Sequence, residues 1–167
     1  MLHLNTKQLD KFRRKIMGRY YHGDIEGKFW FAVQSSTDAE FFGVLPYEDE
    51  PIENDEGELE EACYCTFSFN REEHLKTVID KVKVCEKEMG ELLPIFDTYF
   101  NVDVVAYNVD SLVEHLSQIF YQRSSDDPKY TEVDVRIYLE WYARLQLGNQ
   151  IQNCLIHNEF CVFECEY

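Results

Sequence analysis

The pattern of apolar and polar positions places strands near both ends of the chain and helices between them. Leu9, Phe12 and Ile16 recur at helical spacing between a capping Thr6 and Gly18, which predicts a helix over 6–17. Arg19, Tyr20 and Tyr21 read as a short strand, residues 22–27 (HGDIEG) as a turn and residues 28–34 (KFWFAVQ) as the returning strand. Alternation puts Phe29, Phe31 and Val33 on one face of that strand and Lys28, Trp30, Ala32 and Gln34 on the other. The cluster Ser35, Ser36, Thr37, Asp38 has the composition of a helix N-cap, for a short helix ending at Gly43. Alternation returns over 62–69, with Cys63, Cys65, Phe67 and Phe69 sharing a side. Asn70 then caps the clearest helix, whose stripe is Leu75, Val78, Ile79, Val82, Cys85 and Met89 and whose stop is Gly90.

A short helix starting near Pro94 and a second, capped by Asp110 and running to about Arg123, occupy the middle. Residues 124–128 (SSDDP) read as a linker loop. A long helical pattern follows from about Thr131 to His157, with Gly148 as the one position suited to a break, and residues 159–167 close the chain as a strand. This order predicts an α+β fold in a single domain over 1–167: a small, mostly antiparallel sheet packed against several helices, including a long C-terminal helix followed by a final strand.

Composition narrows the function. Sixteen Lys and Arg against 32 Asp and Glu give a net charge of −16, which disfavours direct nucleic-acid binding because such binding draws on cations neutralising phosphates. Residues 48–61 (EDEPIENDEGELEE) hold nine carboxylates and no cation, with Pro51 and Gly57 as breakers, and read as a mobile acidic loop. Between Lys7 and Arg19 the balance reverses, with six basic residues and one acidic. No apolar run suits a membrane span, and the first residues lack the apolar stretch of a secretory signal, so an intracellular, reducing compartment is expected.

Chemistry-bearing motifs are sparse. The six cysteines have no CxxC pair, and buried free thiols are the expectation, with neither metal nor cofactor. No histidine sits in a nucleophile signature; His22, in its glycine-bounded turn, stands out among the five. Phosphate-binding glycine motifs are absent, and the acidic run lacks the ordered ligand spacing of a calcium loop. No reaction is identified and no catalytic residue is assigned.

The run GDIEGKFWFAVQSSTDAEFFG (residues 23–43), with YARLQLG (142–148) and FCVFECE (160–166), resembles a family of small acidic uncharacterised proteins associated with large DNA viruses of algae and protists. The matching stretches cover roughly a quarter of the chain. The resemblance implies a viral protein acting inside a host cell, in cytoplasm or nucleus, and carries over no functional residue.

The leading functional expectation is a non-enzymatic interaction protein that binds a basic protein surface in the manner of a nucleic-acid mimic and modulates or inhibits that partner, such as a host defence factor. Glu48, Asp49, Glu50, Asp55, Glu56, Glu58, Glu60 and Glu61 supply the charge in this reading and Trp30 an aromatic anchor. The alternative is a small-ligand binder or enzyme with a pocket formed by Tyr20, His22, Lys28, Trp30, Gln34 and Ser35. A structural particle component is a third reading.

Overall fold

The computed structural model describes residues 20–28, 34–48, 51–53, 57–60, 64–100, 109–123 and 130–166. Seven strands are present among them: β1 (Tyr20–Gly23), β2 (Gly27–Lys28), β3 (Tyr47–Glu48), β4 (Ile52–Glu53), β5 (Leu59–Glu60), β6 (Tyr64–Asn70) and β7 (Phe160–Glu166). Five form one antiparallel sheet in the order β2-β1-β7-β6-β3, and β4 pairs with β5 apart from it. The helices are α1 (Arg71–Met89), α2 (Leu93–Phe100), α3 (Val109–Arg123) and α4 (Glu132–His157). The expected α+β architecture is what forms, with a long last helix feeding a final strand.

Alternation decides which side of the sheet is covered. Tyr21, Cys65, Phe67, Phe69, Cys161, Phe163 and Cys165 all point to one face and are buried there. Phe163 stacks on Phe67 at 5.6 Å between ring centres and on Phe69 at 6.0 Å, and meets Tyr21 edge-on at 6.1 Å. Val78, Val82 and Cys85 of α1 and Leu147, Ile151 and Leu155 of α4 close over these rings. The first half of α4 serves a second cluster, in which Val135, Leu139 and Tyr142 pack with Met89, Leu92, Phe96, Leu112 and Leu116. At 26 residues, α4 is about 39 Å long and spans both clusters.

Local chemistry sets the helix boundaries. Asn70 Oδ1 accepts the backbone N–H of Glu72 at 2.8 Å and of Glu73 at 3.3 Å, so the last residue of β6 is also the cap of α1. Thr131 and Asp134 form a reciprocal capping box at the start of α4.

The structure departs from the sequence reading at several points. His22 belongs to β1, and the turn is confined to residues 24–26. Ser35 does not cap a helix; its hydroxyl accepts the Thr37 N–H, and a short 3-10 helix (Asp38–Phe42) begins without a side-chain cap. Asp110 lies inside the first turn of α3. The acidic run is not wholly loop, since its first residue ends β3 and Ile52 and Glu53 pair with Glu60 and Leu59. The expected helix over 6–17, residues 29–33 including Trp30, Cys63 and the linker at 124–128 lie outside the described residues.

Gly148 does not interrupt α4 but lets it approach its neighbours. A Cβ there would lie 2.5 Å from the Phe42 ring and 3.0 Å from Val82 Cγ2. Gly148→Ala therefore sets a helix-propensity gain of about 1 kcal/mol against an overpacking cost of roughly 1–3 kcal/mol. Net destabilisation is the expected outcome, read as a lower urea midpoint at unchanged slope; a raised midpoint would contradict this packing.

Candidate functional site

Residues that face each other across antiparallel strands share a side of the sheet, so the register defines what the face turned away from the helices displays. Tyr20 lies opposite Lys28, His22 opposite Glu164, Tyr64 opposite Glu166, Thr66 opposite Glu164 and Tyr47 opposite Thr66. Farther along β7, Val162 faces Ser68 and Phe160 faces Asn70. This face therefore carries Glu164 and Glu166 on one strand, separated by about 7 Å along it, with Tyr20 and His22 on one flank and Tyr64 on the other. Tyr47 on the edge strand widens the aromatic frame.

The rings are open to solvent. Tyr20 is 48% exposed, Tyr47 67% and Phe160 47%, while alternate positions on the same strands are buried. Large apolar side chains gathered on one face mark a binding surface more often than scattered ones do. The carboxylates are positioned from within: His22 Nε2 lies 3.2 Å from Glu164 Oε2, and the Tyr20 backbone N–H donates to Glu166 Oε2 at 3.1 Å. His22 also meets the Tyr64 ring edge-on at 6.0 Å.

Strand β1 is held at this position by its following turn. Asp24 donates its backbone N–H to the Val162 carbonyl, and its Oδ2 accepts the Val162 N–H, both at 2.8 Å. Gly23, at φ 143°, sits where a Cβ would strike the Val162 carbonyl oxygen at 2.5 Å.

The residues expected to form a ligand pocket are split by this geometry. Tyr20 and His22 share the open face, and Lys28 pairs with Tyr20 across β1 and β2. Gln34 is buried in the helical layer, where its side-chain amide donates to Asp38 Oδ2 at 3.0 Å, and Ser35 begins the turn that leads to Asp38. Of the acidic-run residues, Glu58 is exposed, Glu48 ends β3 beside Tyr47, and Glu60 lies in β5. Asp49, Glu50, Asp55, Glu56, Glu61 and Trp30 lie outside the described residues.

Glu164, Glu166, Tyr47, Tyr64 and Phe160 were not singled out from sequence. The available signal was the ending FCVFECE: once Cys161, Phe163 and Cys165 are the core side, Phe160 and Val162 must point outward beside two glutamates.

A second site on the helical layer holds a buried charge. Arg144 donates from Nε and Nη2 to Asp38 Oδ1 at 2.9 and 2.7 Å and from Nη2 to Glu140 Oε1 at 2.9 Å. Its guanidinium carbon lies 4.9 Å from the ring centres of both Phe41 and Trp141.

The described cysteines are free and buried. Cys65 lies directly opposite Cys165, and Cys154 near the end of α4 contacts Cys161. Among the described residues, no three His, Cys, Asp or Glu side chains are placed to hold a metal ion. A cavity of about 500 Å³ is lined by Asp97, Thr98, Phe100, Tyr142 and Gln146, with the Tyr142 hydroxyl donating to Asp97 at 2.9 Å. Among the described residues, no helix is long and apolar enough to cross a membrane.

Comparison with known protein families, curated proteins and solved structures gives no match to this chain.

Burial pushes the Cys85 thiol up to about 12, an effect that nearby Arg144 partly offsets, and also raises Cys161 and Cys165. Above their ordinary value of 9.0 the unfolded thiols ionise while the native ones keep their protons. The unfolded state then binds fewer protons, so stability falls as pH rises, by up to about 1.4 kcal/mol per pH unit for each thiol. Urea midpoints should be level near pH 8 and decline from about pH 9 towards 12; a flat profile would exclude these thiols from the core.

Proposed function

We propose that this protein is a non-enzymatic binding module whose open sheet face receives a basic segment of a partner protein. The observation that carries the reading is the carboxylate pair Glu164 and Glu166 framed by exposed Tyr20 and Tyr47 and half-buried Tyr64. Carboxylates offer charge-assisted hydrogen bonds to Arg and Lys, and aromatic faces attract the same cations. The net charge of −16 adds long-range attraction for a basic partner, and the acidic run leaves the sheet at β3, the strand that presents Tyr47.

This assigns the acidic run to steering and the sheet face to contact. The partner class is a basic protein surface that otherwise engages nucleic acid, and the effect is modulation or inhibition by competition. For a viral protein, a host defence factor is a partner of that kind, met in the host cytoplasm or nucleus. Supporting this reading over an enclosed ligand pocket is the separation of Gln34 from Tyr20 and His22, since a pocket needs convergent groups.

Titration of the full chain with an arginine-rich peptide tests the reading. Glu164→Gln with Glu166→Gln should weaken binding about tenfold, equivalent to ~1.4 kcal/mol, with stability changed by no more than about 0.5 kcal/mol. Neutralising the acidic run should lower the association rate and flatten its salt dependence, with a smaller effect on dissociation. Unchanged affinity in the Glu164/Glu166 double variant would overturn the assignment of the sheet face.

A further inference from the structure

The Arg144 site shows what this fold does with a guanidinium: it rests against two adjoining rings and two carboxylates accept from it. The same set of groups recurs farther towards the start of α4. A hollow of about 160 Å³ lies between α1 and α4, lined by Glu88, Asp134, Ile137, Tyr138 and Trp141. It offers two carboxylates from different helices, two aromatic rings and one aliphatic wall. None of the five is a cation.

Its rim has the features of a docking surface. Ile137 is 49% exposed, and Val133 and Val84 are also exposed. Asp134 is held ionised, because the hydroxyl and backbone N–H of Thr131 both donate to its Oδ2 and hold its carboxyl below the usual range. Glu88 makes no salt bridge among the described residues. At about 30 Å³ per water the hollow holds roughly five waters, room for a planar guanidinium and adjoining methylenes.

We propose that this hollow is a specificity pocket for one arginine side chain of a partner protein. The guanidinium bonds Glu88 and Asp134, and its flat face and methylene stem lie along Tyr138, Trp141 and Ile137. Arginine fits better than lysine because a planar fork can stack on a ring and bond carboxylates together, whereas an ammonium cannot stack. The inference deepens the basic-partner reading and rests on it, but it uses a surface that shares no residue with the open sheet face.

The test is a titration of the full-length protein with the blocked tripeptide acetyl-Gly-Arg-Gly-amide, followed through the Trp141 indole N–H resonance, which is assigned by its loss in Trp141→Phe. A saturable shift is expected, at least fivefold weaker with the lysine peptide and also in Glu88→Gln, an exposed position where folding is unaffected. The citrulline peptide, which keeps the shape and loses the charge, should produce no saturable shift. The Trp141 response should survive Glu164→Gln with Glu166→Gln. No saturable shift, equal response to citrulline, or insensitivity to Glu88→Gln would overturn the pocket. Loss of the Trp141 response in the Glu164/Glu166 double variant would also overturn it. If binding of the arginine-rich peptide ignores Glu164 and Glu166 while the Trp141 response persists, the sheet-face reading fails and the pocket stands.

Discussion

Among the described residues the helices cover the sheet on one side only, and this is the constraint on which the structure turns. With period-two alternation, each strand must send half its side chains into the helical layer and half away from it. The inward half is a dense set of Phe, Cys and Tyr that stacks ring on ring beneath α1 and α4. The outward half is released from packing and is where a soluble fold would place polar residues. Here it carries Tyr20, Tyr47, Tyr64, Phe160 and Val162 around two glutamates. Apolar outward positions on an otherwise strongly charged chain ask for an explanation in function, and the proposed recognition of cationic groups is offered as one.

The helical layer is organised by α4, whose two halves belong to two clusters. Arg144 lies where they meet. Its bonds to Asp38 fasten the 34–43 segment to the helix, and its position against both Phe41 and Trp141, which meet edge to face, adds that segment's aromatic ring to the helix's own. A charge this deeply placed is tolerated because two carboxylates accept from it. Phe42 then reaches the gap left by Gly148, so one short segment is held by an ion pair on one side and by a missing side chain on the other.

Local order was legible in the residues. Asn70, Gly90 and Thr131 mark their helix boundaries through hydrogen-bond chemistry that needs no tertiary context. What could not be read locally depended on partners far along the chain. Gly148 has the same letter whether it breaks a helix or admits a phenyl ring, and only Phe42, more than a hundred residues earlier, decides. His22 looked like a turn residue beside Gly23, yet pairing with Glu164 extends β1 through it. The candidate site was only partly legible for the same reason: Tyr20 and His22 stood out beside the turn and the acidic run advertises itself by composition, whereas Glu164, Glu166 and Tyr64 join them only when three strands align.

The strand order has a bearing on how the chain acquires its structure. β7 is the last of the described strands in sequence but lies in the middle of the sheet, joining β1 to β6, and Tyr20 meets Glu166 across a separation of 146 residues. During synthesis, a nascent chain that ends before residue 160 has α1 and much of α4 in hand but no strand to unite its halves. Helices can form early, because their contacts are local; the sheet must wait, because closing so long a loop costs entropy before any pairing rewards it. Until β7 arrives, the phenylalanines of β6 and the backbone edge of β1 are uncovered, the kind of surface that chaperones hold and that aggregation exploits. Assembly of this sheet is therefore gated by its central strand, β7.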